Sequence, residues 1–262
     1  MTNTAIIVQA RLGSSRLPGK VLMDLHGKTV LAHVLNRCQA IDGADVVCCA
    51  IPESPDNDPI AAEAEQCDAV VFRGSENDVL DRYLQAARMV KADIVLRVTS
   101  DCPLIAPDVC ADVLRLRAQR DTDYAGNNTP PSWPHGLDCE AITVAWLERA
   151  AAEATEPMDR EHVSPYIRRH AEALKANLDG PGGDMLNHRW TLDFPEDLEF
   201  MRNLFAVMPK TGKIPGVDQT LALLDVHPEI FALNQMHHDS DHDPDAASAH
   251  DAKRYAHAGE AT

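Results

Sequence analysis

The chain has 262 residues, of which 45% are hydrophobic, and a formal net charge of −17 at pH 7. This size predicts one well-buried core, or one core with a small appendage. The acidic balance argues against nucleic-acid binding over a broad surface. No run of residues approaches the ~20 apolar residues of a membrane span, and the first residues lack an export signal, so we expect a cytoplasmic protein without membrane or nucleic-acid partners.

The cysteines are consistent with a reducing compartment. They include no CxxC pair, and most lie in apolar surroundings, as reduced core residues do. We interpret all seven as structural thiols: Cys38, Cys48, Cys49, Cys67, Cys102, Cys110 and Cys139.

The first predicted strand, residues 5–8, leads into a loop that carries three cations. A short apolar run is typical of a buried parallel strand, and the loop at its carboxyl end usually faces the ligand crevice of an α/β sheet. The loop contains no GxGxxG pattern. It also does not match a Walker A pattern, because the span from Gly13 to Lys20 is one residue too long. Arg11, Arg16 and Lys20 would therefore bind phosphate oxygens through their side chains. The alternative is a solvated basic loop with a turn at residues 18–19.

Strand and helix patterns alternate along the rest of the chain. Further strands are predicted at residues 44–51, 68–72, 92–99, 138–144 and 188–193. Helices are predicted at residues 28–40, 59–67, 79–91, 107–119, 146–154, 158–170 and 195–208, with one or two short helices within 216–235. Pro165 would kink or divide the helix that contains it. The alternation predicts βαβ units and hence an α/β fold with a doubly wound, largely parallel sheet.

Two aspartates lie at the carboxyl ends of predicted strands. Asp101 follows the fourth strand and Asp193 ends the last one. A carboxylate in this place lies where a metal that bridges nucleotide phosphates would sit, and two of them could hold one divalent ion. The alternatives are a turn or N-cap role for Asp101 and an N-cap role for Asp193.

The segment 122–143 contains several prolines, asparagines and glycines and is less regular. A long polar loop of this kind tends to be functional. Asp138 and Glu140 alternate along a predicted strand, so they would share one face and could meet an amine or a hydroxyl. Asn127, Asn128 and His135 are weaker candidates.

Several of these stretches resemble one protein family. RLGSSRLPGKVL, in the basic loop, resembles the signature of the cytidylyltransferases that make CMP-activated sugars, such as the CMP-sialic acid and CMP-Kdo synthetases. RGSENDVLDRY, SDCPLI and WTLDFPEDL are similar to further motifs of that family. DREHVSPYI is strongly similar to the branch named after the spore-coat polysaccharide biosynthesis protein F. The resemblance covers roughly residues 4–235.

The resemblance implies a Rossmann-type fold like that of the nucleotide-diphospho-sugar transferases, a homodimer, and roles for individual residues. The triphosphate of CTP would be bound by Arg11, Gly13, Ser14, Arg16 and Lys20. The cytosine pocket would be formed by Arg73, Ser75, Asp81 and Arg82, although Ser75 also fits a helix cap. Mg²⁺ would be held by Asp101 and Asp193. The acceptor would meet Asn127, Asp138, Glu140, Arg160, Glu161 and His162.

Two features leave the acceptor side open. Arg160, Glu161 and His162 could instead form a dimer contact, and a lone histidine such as His162 is more often structural. His135 stands where many relatives have an acidic residue, which leaves the identity of the acceptor undetermined.

We therefore predict a nucleotidyltransferase that moves CMP from CTP to a small acceptor, a sugar acid or a phosphorylated small molecule, and releases pyrophosphate. The product would serve surface-polysaccharide or glycoconjugate biosynthesis. Arg11, Arg16 and Lys20 would neutralise the departing charge, and Asp101 completes the predicted catalytic set. The alternatives are a non-catalytic nucleotide-binding protein and a sugar-nucleotide-dependent glycosyltransferase. A glycosyltransferase would typically hold its metal through an Asp-x-Asp, and residues 121–123 have this pattern but no strong apolar run before them.

The predicted domain organisation is a single domain over residues 1–236. Its nucleotide half would end near residue 120 and its acceptor half would begin at residue 121. Residues 237–262 have almost no bulky apolar side chains, so we expect a disordered, acidic, histidine-rich tail.

Overall fold

The computed structural model of the protein describes residues 2–210 and 213–241, and for residues 239–241 it describes the backbone. The strands are β1 (Thr4–Gln9), β2 (Asp24–Leu25), β3 (Lys28–Thr29), β4 (Val46–Pro52), β5 (Val70–Gly74), β6 (Ile94–Thr99), β7 (Tyr124–Gly126), β8 (Glu140–Thr143) and β9 (Lys175–Asn177). The α-helices are α1 (Val30–Gln39), α2 (Asp58–Gln66), α3 (Val79–Met89), α4 (Pro107–Arg120), α5 (Val144–Glu153), α6 (Pro157–His162), α7 (Pro165–Arg169), α8 (Pro195–Val207), α9 (Val217–Val226) and α10 (Pro228–Phe231). Short 3-10 helices lie at Lys20–Leu22, Pro55–Asn57, Gly183–Asn187 and Ala232–Asp241.

Seven strands form one mixed sheet in the order β5-β4-β1-β6-β8-β7-β9. The neighbours β5, β4, β1 and β6 are parallel, whereas β8 is antiparallel to both β6 and β7. This arrangement confirms the predicted α/β class and the largely parallel sheet. β1 has β4 on one side and β6 on the other. The winding of the chain therefore changes direction at the carboxyl end of β1, which is where ligands bind in such sheets.

Apolar side chains on the two faces of the sheet pack against different helices. Ile6 packs with α1, α2 and α4, whereas its neighbour Ile7 packs with α3 and α5. This division follows from the alternation of side chains along a strand. A third cluster, which includes Trp190 and Phe200, joins α8 and α9 to the segment after β6.

The helix predicted at residues 158–170 is divided, as Pro165 led us to expect. Helix α6 ends at His162 and is followed by Val163, whose φ of 72° lies in the left-handed region, and Pro165 is the first residue of α7. A β-branched residue with positive φ is strained. The chain therefore makes a sharp elbow between the two short helices.

The prediction of a strand at residues 188–193 is wrong. This segment makes one isolated bridge, between Arg189 and His135, and its Leu192 N–H donates to Asp101 O at 2.9 Å. Its buried Trp190 and Leu192 pack in the third cluster rather than on the sheet. The alternation of buried residues thus reflects an extended chain without ladder partners.

Three other predictions about the second half need correction. Strands β7 and β9 lie where no strand was predicted, because three-residue strands are too short to show a periodic pattern. Strand β8 begins at Glu140, so Asp138 lies before the strand. The folded region also extends beyond residue 236, since His237 Nε2 lies 3.0 Å from Glu196 Oε2 and its ring stacks on Phe194. The rest of the predicted tail, from residue 242, lies outside the described residues.

All seven cysteines lie in the described part of the chain and are free thiols, six of them buried. Burial raises the pKa of Cys48 to about 12, so this thiol stays protonated. These observations agree with a structural role. Among the described residues, no helix is both long and apolar enough to span a bilayer.

A buried ion pair holds the segment that leads into α8. Arg189 Nε lies 2.9 Å from Asp197 Oδ1, and both side chains are at most 1% exposed. Asp197 also accepts hydrogen bonds from the backbone N–H groups of Asp193 and Phe194, at 2.9 and 3.0 Å, and from Asn234 Nδ2. Burial opposes ionisation, but the Arg189 and backbone hydrogen bonds keep the pKa of Asp197 below its ordinary value. The hydrogen bond from its backbone N–H to Asp197 therefore holds Asp193 in position.

We expect Arg189→Met to lower the free energy of unfolding by about 3 kcal/mol, because the Asp197 carboxylate would stay buried without its counter-charge. Urea denaturation followed by circular dichroism measures the loss. Arg115→Met is the matched control, since Arg115 pairs with Asp112 on the surface, where an ion pair contributes at most about 1 kcal/mol. Equal losses in the two variants would contradict the role of the buried pair.

Candidate active site

A cavity of about 310 Å³ opens at the carboxyl ends of β1 and β6. Gln9 and Thr99, which pair in register at these strand ends, contribute to its walls. The basic loop after β1, the turn after β6, and helices α3 and α6 supply the other walls. The predicted site residues that line it are Arg11, Gly13, Ser14, Arg16, Lys20, Arg82, Asp101, Glu161, His162 and Asp193.

The basic loop is held by contacts with the body of the protein. Leu12 N–H donates to Asn57 Oδ1 at 3.1 Å, and Leu17 N–H donates to Ser14 Oγ at 3.3 Å. Gly19 has a φ of 70°, a conformation that glycine adopts without strain, and it begins the 3-10 turn Lys20–Leu22. The turn directs Lys20 inward, so the alternative of a fully solvated loop does not apply to this lysine.

Lys20 lies between the two predicted metal ligands. Its Nζ is 3.0 Å from Asp101 Oδ2, 2.8 Å from Asp193 Oδ1 and 2.7 Å from the carbonyl oxygen of Leu192. Burial alone would lower the pKa of Lys20, but the two aspartates raise it above its ordinary value. Burial likewise opposes ionisation of Asp101, yet Lys20 and Thr99 keep the pKa of Asp101 below its ordinary value. Lys20 and Asp101 are therefore both charged at neutral pH.

Asp193 is shared among several cations. Arg16 Nη2 lies 3.2 Å from Asp193 Oδ1, and Arg189 Nη2 lies 3.5 Å from Asp193 Oδ2. The Arg16 guanidinium also lies over the Phe194 ring, 4.8 Å from its centroid. The basic loop, Asp101 after β6 and Asp193 before α8 thus form one ion cluster on the cavity wall.

The two aspartates fit a divalent cation that is bound together with phosphates. Both carboxylates have an oxygen within 3.0 Å of the same nitrogen, Lys20 Nζ, so they face one point. Mg²⁺ is usually held by one or two carboxylates and by substrate phosphates rather than by a cage of protein ligands. Among residues 2–210 and 213–241, no group of three or more His, Cys, Asp or Glu could hold a metal ion. The donor set therefore suits a metal that arrives with a nucleotide.

Helix α6 brings Glu161 and His162 to the cavity. Burial is the main cause that lowers the pKa of His162, so its imidazole is neutral at pH 7. The elbow after His162 is fixed from below, because Ser164 Oγ donates to the buried Glu140 Oε1 at 2.6 Å. The site therefore has a second wall of defined position.

Three residues predicted for the cytosine pocket lie outside the cavity. Arg73 pairs with Asp58 at 2.6 Å, and the Asp81 carboxylate accepts a hydrogen bond from Gln85 at 2.9 Å. Ser75 Oγ accepts from the backbone N–H of Asp78, which is the capping role left open above. Of the predicted base-binding set, only Arg82 lines the cavity.

Four residues predicted for the acceptor site also make contacts elsewhere. Asn127 is buried, donates to Leu137 O at 2.8 Å and accepts from Cys139 N–H at 2.9 Å. Asp138 accepts from Gly136 N–H at 3.1 Å, and Arg160 pairs with Asp78. Glu140 begins β8, between β6 and β7, and forms an ion pair with Arg97. The shared strand face that we predicted for Asp138 and Glu140 does not exist, because Asp138 precedes the strand.

Glu140 is the centre of a buried polar network. Its Oε2 lies 2.7 Å from Arg97 Nη1, and its Oε1 accepts from Tyr124 OH and Ser164 Oγ at 2.8 and 2.6 Å. Burial opposes ionisation, but Arg97 and Arg168 keep the pKa of Glu140 below its ordinary value. A sequence signal for this network is Arg97, a charge inside the apolar run of β6, which requires a buried partner.

Comparisons with known proteins identify the family of the chain. The model of the cytidylyltransferase family matches residues 5–232. The chain belongs to the cytidylyltransferase family. The spore coat polysaccharide biosynthesis protein SpsF of Bacillus subtilis is 29% identical over 238 residues, which cover 87% of this chain and 97% of that protein.

Two further relatives are similar over most of their length. A 3-deoxy-manno-octulosonate cytidylyltransferase of Anaeromyxobacter dehalogenans is 30% identical over 248 residues, which cover 79% of this chain and 99% of the relative. The solved structure of a cytidylyltransferase from Leptospira borgpetersenii has a TM-score of 0.83 and 28% identity, with 88% of this chain and 97% of that chain covered. The family resemblance inferred from the motifs is confirmed, and so is the prediction of a CTP-dependent enzyme.

The alternative functions can now be set aside. A cytidylyltransferase is an enzyme, and it uses CTP rather than a sugar nucleotide as its donor. The Asp-x-Asp at residues 121–123 also has a local role, since Asp121 caps the end of α4 and Asp123 accepts from Leu174 N–H at 2.9 Å.

Glu140→Gln should lower the free energy of unfolding at pH 7 by about 3 kcal/mol, because the buried Arg97 would lose its counter-charge. The lowered pKa of Glu140 means that its carboxylate contributes stability above the unfolded-state pKa of about 4.3. This contribution is lost as the pH falls through the lower folded-state value, so the difference between wild type and variant should narrow below about pH 4.3.

Denaturation at several pH values tests this expectation, with the surface variant Glu148→Gln as control. If Glu140→Gln kept full stability and instead raised the KM for the acceptor, Glu140 would be an acceptor ligand after all.

Proposed function

We propose that this cytidylyltransferase transfers CMP from CTP to an oxygen of a sugar acid or a phosphorylated small molecule and releases pyrophosphate. The observation that carries the proposal is the cluster of Lys20, Asp101 and Asp193 in the cavity beside β1. The printed names of two relatives, a spore coat polysaccharide protein and a 3-deoxy-manno-octulosonate cytidylyltransferase, support a role in surface-polysaccharide or glycoconjugate biosynthesis.

The cations of the cavity are suited to a triphosphate. Arg11 and Arg16 can each donate paired hydrogen bonds to phosphate oxygens, and Lys20 adds a point charge. Arg82, which lines the same cavity, stays the proposed contact of the cytosine. The acceptor oxygen attacks the α-phosphorus in line, and the bond from the α-phosphorus to the bridging oxygen breaks. Negative charge then grows on the departing pyrophosphate, where the cations stabilise it. Gly13 and Ser14 line the same cavity and would contact the triphosphate. The reaction needs no covalent enzyme intermediate.

Asp101 and Asp193 would hold the divalent cation, which we propose is Mg²⁺. When bound, the cation supplies positive charge to the phosphate oxygens and lowers the cost of deprotonating the acceptor. The ionised state that coordination requires is already present in Asp101, whose pKa is below its ordinary value. The backbone contacts of Asp197 hold Asp193 in place.

Glu161 and His162 are the acceptor-site residues of this proposal. Both line the cavity, unlike the other predicted acceptor residues Asn127, Asp138, Glu140 and Arg160. The neutral imidazole of His162 can accept a hydrogen bond from an acceptor hydroxyl, and the Glu161 carboxylate can accept another. The fixed elbow between α6 and α7 would keep both side chains at a constant position relative to the phosphates of CTP.

We further propose that the enzyme is a cytoplasmic homodimer. The seven free thiols support a reducing compartment. The family resemblance supports the dimer, and the net charge of −17 argues against a nucleic-acid partner.

The purified enzyme should release pyrophosphate from CTP, but not from UTP, ATP or GTP, in the presence of one acceptor class and Mg²⁺. The acceptors to compare are sialic-type acids, Kdo-like acids and phosphorylated alcohols, and a coupled pyrophosphate assay measures the rate. Asp101→Asn should lower kcat/KM by roughly 100-fold, because a charged metal ligand is lost. The surface variant Asp112→Asn should keep the wild-type rate. Release from all four nucleotides, or in excess EDTA, would contradict the proposal.

His162→Ala should raise the KM for the acceptor by about tenfold while the KM for CTP changes little, because only the acceptor loses a hydrogen bond. Steady-state kinetics with each substrate varied in turn measure the two constants. His170→Ala is the matched control, since His170 packs on Trp146 at the end of α7. A parallel loss for CTP would move His162 from the acceptor site to the nucleotide site.

A further inference from the structure

We propose that Lys20 is an internal counter-ion that occupies the place of the divalent cation between Asp101 and Asp193, so that these aspartates bind the cation only after nucleotide has drawn Lys20 away. The inference rests on the proposed function, because it concerns the cation of that reaction. It adds a second role for Lys20 to the binding of phosphate.

The first observation is that the ammonium group of Lys20 is saturated. An ammonium has three N–H donors, and three oxygens lie within 3.0 Å of Lys20 Nζ. Two of them belong to the carboxylates that face each other, and the third is the carbonyl of Leu192. With its side chain only 11% exposed, Lys20 has little contact with water. Each aspartate therefore already has a charged hydrogen-bond donor at the point where a metal would coordinate.

The second observation is that the contact is fixed by three chain segments. Lys20 belongs to a 3-10 turn in which Met23 N–H donates to Lys20 O at 3.1 Å. The two acidic segments are joined directly, because Leu192 N–H donates to Asp101 O at 2.9 Å. The side chain of Lys20 can leave by rotation about its own bonds, whereas the two carboxylates stay in place. Asp101 and Asp193 therefore form a preformed cation site, and the Lys20 ammonium group that occupies it can move away.

The third observation is the charge of the cluster. Lys20, Arg16 and Arg189 contact carboxylates of Asp101, Asp193 and Asp197, so three cations balance three anions. A divalent cation alone would add two uncompensated positive charges to this half-buried cluster, which is unfavourable.

A nucleoside triphosphate removes this obstacle. Its phosphates provide new anionic partners for Lys20 and Arg16 and release the carboxylates for the cation. Binding of the cation and binding of the nucleotide should therefore strengthen each other.

The test measures Mn²⁺ binding without nucleotide, by the electron paramagnetic resonance signal of free Mn²⁺. The wild type should bind Mn²⁺ weakly. Lys20→Met should bind it at least tenfold more tightly, because two carboxylates lose their counter-ion. Lys20→Arg, which keeps the charge, and the surface control Lys210→Met should bind as weakly as the wild type. The double variant Lys20→Met with Asp101→Asn should lose the gain, which would locate the ion at the aspartate pair.

The same experiment contains the results that would overturn the inference. A folded Lys20→Met protein that binds Mn²⁺ no more tightly than the wild type would do so, and so would a gain that survives Asp101→Asn. Lys20→Gln serves if Lys20→Met does not fold, since its amide still donates to a carboxylate without charge, and it should also bind Mn²⁺ more tightly than the wild type. No gain in that folded variant would equally overturn the inference.

These outcomes are independent of the test of the proposed function. Metal-dependent pyrophosphate release by the wild type, together with unchanged Mn²⁺ affinity in Lys20→Met, would remove the counter-ion role and leave the transferase intact.

Discussion

The structure of the site depends on one buried ammonium group. Lys20 joins the loop after β1 to the turn after β6 and to the segment before α8, three parts of the chain that are distant in sequence. Without a cation at this point, Asp101 and Asp193 would face each other as two carboxylates, and their repulsion would favour separation or protonation. The same lysine therefore joins the walls of the cavity and keeps the pKa of Asp101 below its ordinary value.

Two buried ion networks hold the walls of the cavity in position. On one side, the Arg189–Asp197 pair holds the backbone of Asp193. On the other side, Glu140 joins Arg97 to the elbow between α6 and α7 through Ser164. Buried charges of this kind contribute little net stability, but breaking one is costly, so they define positions more than they add stability. Phosphoryl chemistry that relies on placement and charge benefits from such fixed walls.

The acidic surface and the basic cavity are complementary features of the enzyme. The chain carries a net charge of −17, yet four cations line one cavity of about 310 Å³. Arg16 and Lys20 are held there by Asp193, Asp101 and the carbonyl of Leu192, and Arg82 donates to the carbonyl of Ser75, so these three cations are oriented before substrate arrives. In the proposed reaction, a triphosphate would exchange partners with groups already in place, which would lower the cost of reorganisation.

The sequence by itself determined the parallel half of the sheet, the basic loop and the two candidate acids, Asp101 after β6 and Asp193 before α8. These features are local, since an apolar run, a loop composition or a residue after a strand is readable without knowledge of contacts. The motif resemblance extended this reading to the family and to CTP, and the family match confirmed it. Only the tertiary structure decided which of the candidate residues meet. Glu140 and Asn127 are bound by buried partners, and Lys20 lies between the acids rather than toward solvent. These contacts could not be predicted, because long-range contacts and burial leave no periodic signal in the chain.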